Sequence, residues 1–224
     1  MSSEFSLGER LADLPYFRTL QADRLAALAQ HATCSEFAPQ EVIFWQDDPS
    51  AGLWIVERGR VKVFRLNTEG REHILHLFGP GDSFNDIPAL DGGTNPASAV
   101  ALSNVVAWTL ETETLLAELC RDAALGVHVI TILADRMRKL VDQIDDLTLC
   151  SVTVRLARFL IKQTERPAFS GPGITRLVIA AHLATTPETI SRALRTLENL
   201  GAIRFDRHEV IIERRDLLDT VAMQ

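Results

Sequence analysis

Hydrophobic positions along this chain change their period several times, and each change marks a different kind of structure. Between residues 10 and 33 apolar residues recur at helical spacing on either side of Pro15, predicting two short amphipathic helices split at the proline. From Phe37 to about Leu110 the texture becomes short runs rich in β-branched and aromatic residues, at 42–45, 53–56, 60–66, 73–78 and 100–102. Turn residues separate these runs: Asp48-Pro49-Ser50, Arg58-Gly59, Asn67 to Gly70, Gly79-Pro80-Gly81-Asp82 and Asp91-Gly92-Gly93-Thr94. Strands this short, spaced this regularly, imply an antiparallel barrel or jelly roll.

After Thr112 the β texture ends and a long helix is expected over 113–149. Ile130, Leu133, Met137, Leu140, Ile144 and Leu147 step by three and four, bordered by Asp135, Arg136, Arg138, Lys139, Asp142, Asp145 and Asp146. Such a narrow seam predicts a coiled-coil dimer, with a helix packed on its own domain as the other reading.

The last third reads as a helix-turn-helix. Residues 176–184 form a short helix with Leu177, Ala180, Ala181 and Ala184 expected on its inward face. Thr185 and Thr186 break it, a Thr can cap the next helix, and Pro187 suits a first helical position. In the second helix Ile190, Leu194 and Leu197 make one buried stripe, while Glu188, Ser191, Arg192 and Arg195 share the opposite face. An ordinary amphipathic surface helix would also carry Glu and Arg there. The residues beyond the helix weigh against that: a Gly201 stop, then runs at 202–205 and 209–213 around the turn Asp206-Arg207-His208, which make a two-stranded wing. A guanidinium can fork onto guanine O6/N7, a carboxylate accepts from cytosine N4, and a short hydroxyl serves either partner. The candidate DNA contacts are Arg176, Thr186, Glu188, Thr189, Ser191, Arg192 and Arg195. A two-fold dimer would set two such helices one DNA turn apart, as a palindromic operator requires.

The net charge of −7 at first argues against a DNA partner. From Ser151 onward, however, 11 Lys/Arg face 8 Asp/Glu, whereas residues 1–150 hold 12 against 22. The C-terminal end attracts phosphate and the remainder repels it. No apolar run approaches the ~18 residues of a membrane span, so no membrane partner is expected. The first ten residues lack the basic and apolar regions of an export signal, which predicts a cytoplasmic protein. Cys34, Cys120 and Cys150 form no paired motif, so neither a zinc ribbon nor an iron–sulfur cluster is expected, and each cysteine reads as a small buried residue.

A β-roll, a long dimerising helix and a C-terminal winged helix, in that order, resemble the Crp/Fnr family of bacterial transcription regulators over nearly the whole chain. The local motifs that carry the resemblance are Gly59-Arg-Val-Lys-Val-Phe-Arg-Leu66 with Glu69-Gly-Arg-Glu72, Gly79-Pro-Gly-Asp82 and Glu188-Thr-Ile-Ser-Arg192. The last is similar to the reading-helix motif of the Fnr-like branch. The resemblance implies an α+β chain: a cyclic-nucleotide-binding-like roll (a double-stranded β-helix) at 1–112, a dimerisation helix at 113–149 and a DNA-binding domain at 150–224. It also implies a homodimer on double-stranded DNA with TTGAT-like half-sites as an inverted repeat, working with RNA polymerase.

Departures from the family pattern bear on the signal. Cyclic-nucleotide members hold ribose with a Gly-Glu pair, cyclic phosphate with Arg-Ser or Arg-Thr, and purine with Thr-Ser on the long helix. The corresponding effector-pocket residues here are Phe84, Asn85 and Asp86, then Pro96 and Ala97, then Leu140 and Val141. Pro96 brings neither charge nor amide hydrogen to a phosphate, so an effector other than cyclic AMP is expected and its identity stays open. The chain is also similar to the dissimilatory nitrate-respiration regulators, held to sense nitric oxide through haem, and His182 sits where they have a His. A structural histidine is the plainer reading of His182. That subgroup's N-terminal histidines, the cysteine cluster of the oxygen sensor and the haem-ligand His of the carbon-monoxide sensor have no counterpart here.

An enzyme of the cupin type would need a metal held on the roll. His73 and His76 are three apart, which on one strand points them to opposite faces, so no metal site is expected. No Ser/His/Asp or Cys/His arrangement presents itself, and a non-enzyme is the expectation. A regulatory cyclic-nucleotide module would share the roll but need not end in a wing.

Overall fold

In the computed structural model of the protein, residues 7–165, 173–205 and 210–223 are described, so the expected wing turn at 206–208 lies outside them. The chain divides into two compact units: residues up to Val63 with Phe78–Lys139, and Phe64–Leu77 with everything from Leu140 onward.

Helices α1 (Leu7–Asp13) and α2 (Ala22–Gln30) flank a 3-10 turn at Pro15–Phe17. Strands β1 (Ala32–Phe37), β2 (Val42–Phe44), β3 (Leu53–Arg58), β4 (Val61–Leu66), β5 (Glu72–Phe78) and β6 (Ser83–Phe84) come next, then α3 (Asp86–Asp91), β7 (Ser98–Ala101) and β8 (Val105–Leu110). They build two four-stranded sheets, ordered β1-β8-β3-β6 and β2-β7-β4-β5, which is the expected antiparallel roll. In the first sheet β8 is central, pairing Ala32↔Leu110 to Phe37↔Val105 on one side and starting at Leu53↔Leu110 on the other. Strand β1 carries no alternating apolar signal because it is an edge strand without a fully buried residue, and β6 has only two residues. Neither could be read from periodicity.

The roll interior is aromatic. Phe78 and Trp54 stack on Phe84 with ring centroids 5.3 and 6.2 Å apart, and Phe44 lies 6.0 Å away on the same ring. Such pairs each add about 0.5–1.5 kcal/mol beyond the area they bury. Gly52 is required where β3 begins: at φ 126° a Cβ would sit 2.1 Å from the Leu110 carbonyl oxygen. A second core joins the N-terminal helices to those after the roll, through Leu11, Phe17, Leu28, Leu125 and Val129.

The segment expected as one helix over 113–149 is two, α4 (Thr112–Arg121) and α5 (Ala123–Leu149). Asp122 separates them in an extended conformation, φ −133° and ψ 97°. Its carboxylate accepts from the Ala124 and Leu125 amides at 3.0 and 3.1 Å, the N-cap chemistry that starts α5. Leu133, expected in the dimer seam, is half-buried against the first unit's own core. The cysteines also depart from expectation. Cys34 is exposed on edge strand β1, Cys120 is exposed on α4, and Cys150 is half-buried.

In the second unit α6 (Val152–Glu165) packs on α8 (Pro187–Asn199) and α9 (Arg215–Ala222), and α7 (Arg176–His182) packs on α8. Strands β9 (Ile203–Phe205) and β10 (Val210–Ile212) pair antiparallel beside α8. Arg158 ties three pieces together, donating to Ala222 O at 2.7 Å and pairing with Asp146 near the end of α5. The buried residues here are Val178, Ile179, Ala180 and, at the C-cap, Leu183; of the expected inward face only Ala180 is buried, Ala181 is half-buried, Ala184 is exposed and Leu177 is 67% exposed. Residues 177–181 are all apolar, so periodicity could not choose the face. Among the described residues no helix is long and apolar enough to cross a membrane.

Candidate nucleic-acid interface and effector segment

Both helices of the helix-turn-helix are capped by threonine. Thr175 Oγ1 accepts from the Val178 amide at 3.3 Å, and Thr186 Oγ1 accepts from the Thr189 amide at 3.3 Å, with Pro187 at the first position of α8. The turn between them closes through Ala184 in the left-handed region, φ 49°, while the Thr185 amide reaches back to Ala180 O at 2.9 Å. Ile190, Ala193, Leu194 and Leu197 are buried, so the opposite face of α8 is turned outward. Glu188, Arg192, Arg195 and Thr186 are exposed or half-exposed on it, and Thr189 and Ser191 lie at its edges.

Local hydrogen bonds preset this face. Arg192 Nη2 donates to Thr189 Oγ1 at 3.1 Å, and Thr189 Oγ1 lies 3.2 Å from Thr186 Oγ1. Ser191 donates its hydroxyl hydrogen to Pro187 O at 2.9 Å, which leaves its oxygen lone pairs as acceptors. Glu188 is held below the usual carboxylate range by its own backbone amide, then the Thr186 hydroxyl, then the Arg192 charge. It is therefore ionised at neutral pH and suited to accept from an exocyclic amine. Arg176 sits apart from α8, its guanidinium 5.7 Å above the Phe205 ring at the end of β9, where it braces the wing.

The effector segment is occupied by its own contacts. Asn85 is left-handed, φ 64°, and its side-chain amide donates to Ser50 Oγ, Gly52 O and Asn95 Oδ1 at 3.0, 3.2 and 2.9 Å. Asn95, almost fully buried, donates in turn to Trp45 O at 3.1 Å, and Ser98 Oγ accepts from the Gln46 amide at 2.9 Å. Asp86 accepts from the Tyr16 hydroxyl at 2.8 Å and pairs with Arg136 of α5. The Arg136 guanidinium also lies 5.3 Å over the Tyr16 ring. Burial first, and then the Asp86 charge, push the Tyr16 phenol well above its ordinary range. Phe84 and Ala97 are buried and Pro96 is exposed. Leu140 and Val141 belong to the other unit, each 58% exposed. Tyr16 and Ser50 carried no sequence signal; only folding brings them to Asp86 and Asn85.

His182 packs on Phe159 with ring centroids 5.6 Å apart, and its ring donates to the Ile74 backbone. Burial first, then the charges of His76 and Lys162, push its pKa down to about 3. A ring that packs on a phenyl face and donates to a strand backbone is in keeping with the structural reading of His182. Among the described residues no cluster of three or more His, Cys, Asp or Glu is placed to hold a metal ion.

Along α5, Ile130, Met137, Leu140 and Ile144 are 58–67% exposed, with Val127 and Val141 alongside. Leu147 is half-buried.

The sequence matches two families, the cyclic nucleotide-binding domain over residues 34–122 and the Crp-like helix-turn-helix domain over 154–221. It is 32% identical over 183 residues to the cyclic AMP receptor protein of Thermus thermophilus, covering 80% of this chain and 83% of that protein. It is 26% identical over 219 residues to a CRP-like cAMP-activated global transcriptional regulator of Mycobacterium tuberculosis, covering 95% and 98%. Among solved structures it is similar to FixK2 of Bradyrhizobium japonicum, with a TM-score of 0.74 and 26% identity over 85% of this chain and 96% of that one.

Proposed function

The chain belongs to the Crp/Fnr family of DNA-binding transcription regulators, and from that premise we propose that it acts as a homodimer reading an inverted repeat with TTGAT-like half-sites. The outward face of α8 carries this reading, with Glu188, Ser191 and Arg192 opposite the buried stripe Ile190, Leu194 and Leu197. Arg192 forks onto a guanine, Glu188 accepts from a cytosine amine, and Ser191 offers an acceptor. Thr186, Thr189, Arg195 and Arg176 support that face from the helix start, its next turns and the wing. The exposed stripe on α5 supplies the dimer surface, and RNA polymerase is the partner at the promoter. The domain division that goes with this role is a roll over 1–112, a dimerising segment over 113–149 and a reading domain over 150–224.

Arg192→Ala tests the reading. It should cost roughly 1–3 kcal/mol on a TTGAT inverted repeat and relax the preference at the guanine position. Unchanged discrimination among single-base variants removes Arg192 from that role.

The effector we assign is not a cyclic nucleotide. A buried cyclic phosphate requires a cation or several donors, and the segment offers Pro96, Ala97, and asparagines whose amides already serve Ser50, Gly52 and Trp45. The second reading, a cyclic-nucleotide response, is favoured by the two relatives named for cyclic AMP. Calorimetric titration with cyclic AMP and cyclic GMP separates the two. The first reading expects no saturable heat, and micromolar binding that tightens operator affinity would establish the second.

A further inference from the structure

We propose that His73, His76 and His182 form an acid-sensitive catch between the β4–β5 hairpin and the first helix of the helix-turn-helix. The hairpin residues Phe64–Leu77 belong to the same compact unit as α6 to α9. Two backbone-to-side-chain bonds cross this junction in opposite senses. From the strand, His73 Nδ1 donates to Ala181 O at 3.1 Å. Ala181 lies in the last turn of α7, where carbonyls have no partner within the helix. From the helix, the next residue, His182, donates its ring N–H back to the backbone of Ile74, next to His73. The same imidazole lies tilted on the Phe159 ring of α6, so the catch is closed over an apolar face.

The surroundings of His182 make the catch one-signed. The groups acting on its charge are His76 and His73 from β5 and Lys162 from α6, all of them basic. A proton on His182 would be buried next to them, and burial together with those charges holds its pKa at about 3 against an ordinary 6.5. The closed form therefore keeps His182 neutral. Once the hairpin and α7 separate, the ring returns to water and takes up a proton below its ordinary pKa. A histidine depressed in this way contributes fully above pH 6.5, and its contribution declines as pH falls from 6.5 towards 3. The open fraction should rise about tenfold between pH 7.5 and pH 5.5. Only residues 183–186 separate α7 from α8, so release of α7 loosens the base on which the reading helix stands.

Hydrogen exchange on the intact protein, corrected for the intrinsic pH dependence, tests the catch at amides 74–77 and 177–185. Faster opening at pH 5.5 by about tenfold is expected in the wild type. His182→Phe keeps a ring on Phe159 and cannot charge, so its opening should be larger at both pH values but flat between them. Equal acid responses in the two proteins, or no response in the wild type, would overturn the catch. Should His182→Phe fail to fold, the wild-type ring resonances decide. They should stay unshifted down to pH 5.5, and a titration near 6.5 refutes the buried neutral ring. Operator affinity measured alongside keeps the two ideas separate. Acid-driven opening without operator binding at either pH sinks the DNA reading alone, and operator binding with flat exchange sinks the catch alone.

Discussion

Ala184 stands in the tight turn between α7 and α8 with φ 49°, a conformation in which a Cβ crowds the following carbonyl. The left-handed region costs a non-glycine residue about 1–2 kcal/mol. Glycine removes that strain but makes the unfolded chain less restricted, returning about 0.5–1 kcal/mol. Ala184 is exposed, so no packing is lost with its methyl group. The Thr185 amide to Ala180 O bond at 2.9 Å is backbone to backbone and survives the change. Ala184→Gly should therefore stabilise the C-terminal unit by about 0.5–1 kcal/mol, raising its Tm by about 2–6 °C. Ala184→Val should do the reverse, since a β-branched side chain is disfavoured most at positive φ. Thermal and urea unfolding of the intact protein would measure both, with the unchanged slope in urea showing that native and unfolded compactness are preserved. A destabilised glycine variant, or a valine variant as stable as alanine, would mean that the turn is not strained as its backbone angle implies.

Ile144 is 59% exposed in the single chain, and placing a charge there should leave it unpaired in a helix-helix seam and shift the protein towards monomer. Sedimentation of Ile144→Glu at micromolar concentration measures this, and a persistent dimer places the interface elsewhere. Tyr16→Phe removes one hydrogen bond to a carboxylate that keeps Arg136 as its partner, so the loss should be about 1.5 kcal/mol in chemical denaturation. A neutral outcome would mean that Arg136 and water satisfy Asp86 without the phenol.

Much of the fold was legible because amphipathic elements write their own period into the chain. The reading helix is the clearest case. Ile190, Leu194 and Leu197 could face inward only if Glu188, Arg192 and Arg195 faced out, and that is where they lie. The same rule failed on α7, where apolar residues on every side gave no contrast between faces. It failed on Asp122 too, which looks like any acidic surface residue until its backbone leaves the helix and its carboxylate caps the next one. The stripe on α5 shows an intermediate case. Heptad spacing identified the apolar residues, but spacing carries no record of which surface covers them, and Leu133 went to its own unit's core while Ile130 and Met137 stayed exposed.

The effector segment was the least legible because its determining contacts have no period. Tyr16 reaches Asp86 across 70 residues, and Arg136 reaches it across 50. Local pattern reports pairs two, three or four residues apart, so such partners remain invisible until the sheets and helices are assembled. Their invisibility changed the apparent chemistry. Read alone, Asp86 is a negative charge that repels phosphate. In the fold it is matched by a guanidinium and a phenol, so the proposal against a cyclic phosphate rests instead on Pro96 and Ala97 bringing no cation and on the amides of Asn85 and Asn95 being already engaged. The segment thus holds its loop and α3 through bonds made within the chain, and a signal entering at this segment would act by exchanging those bonds.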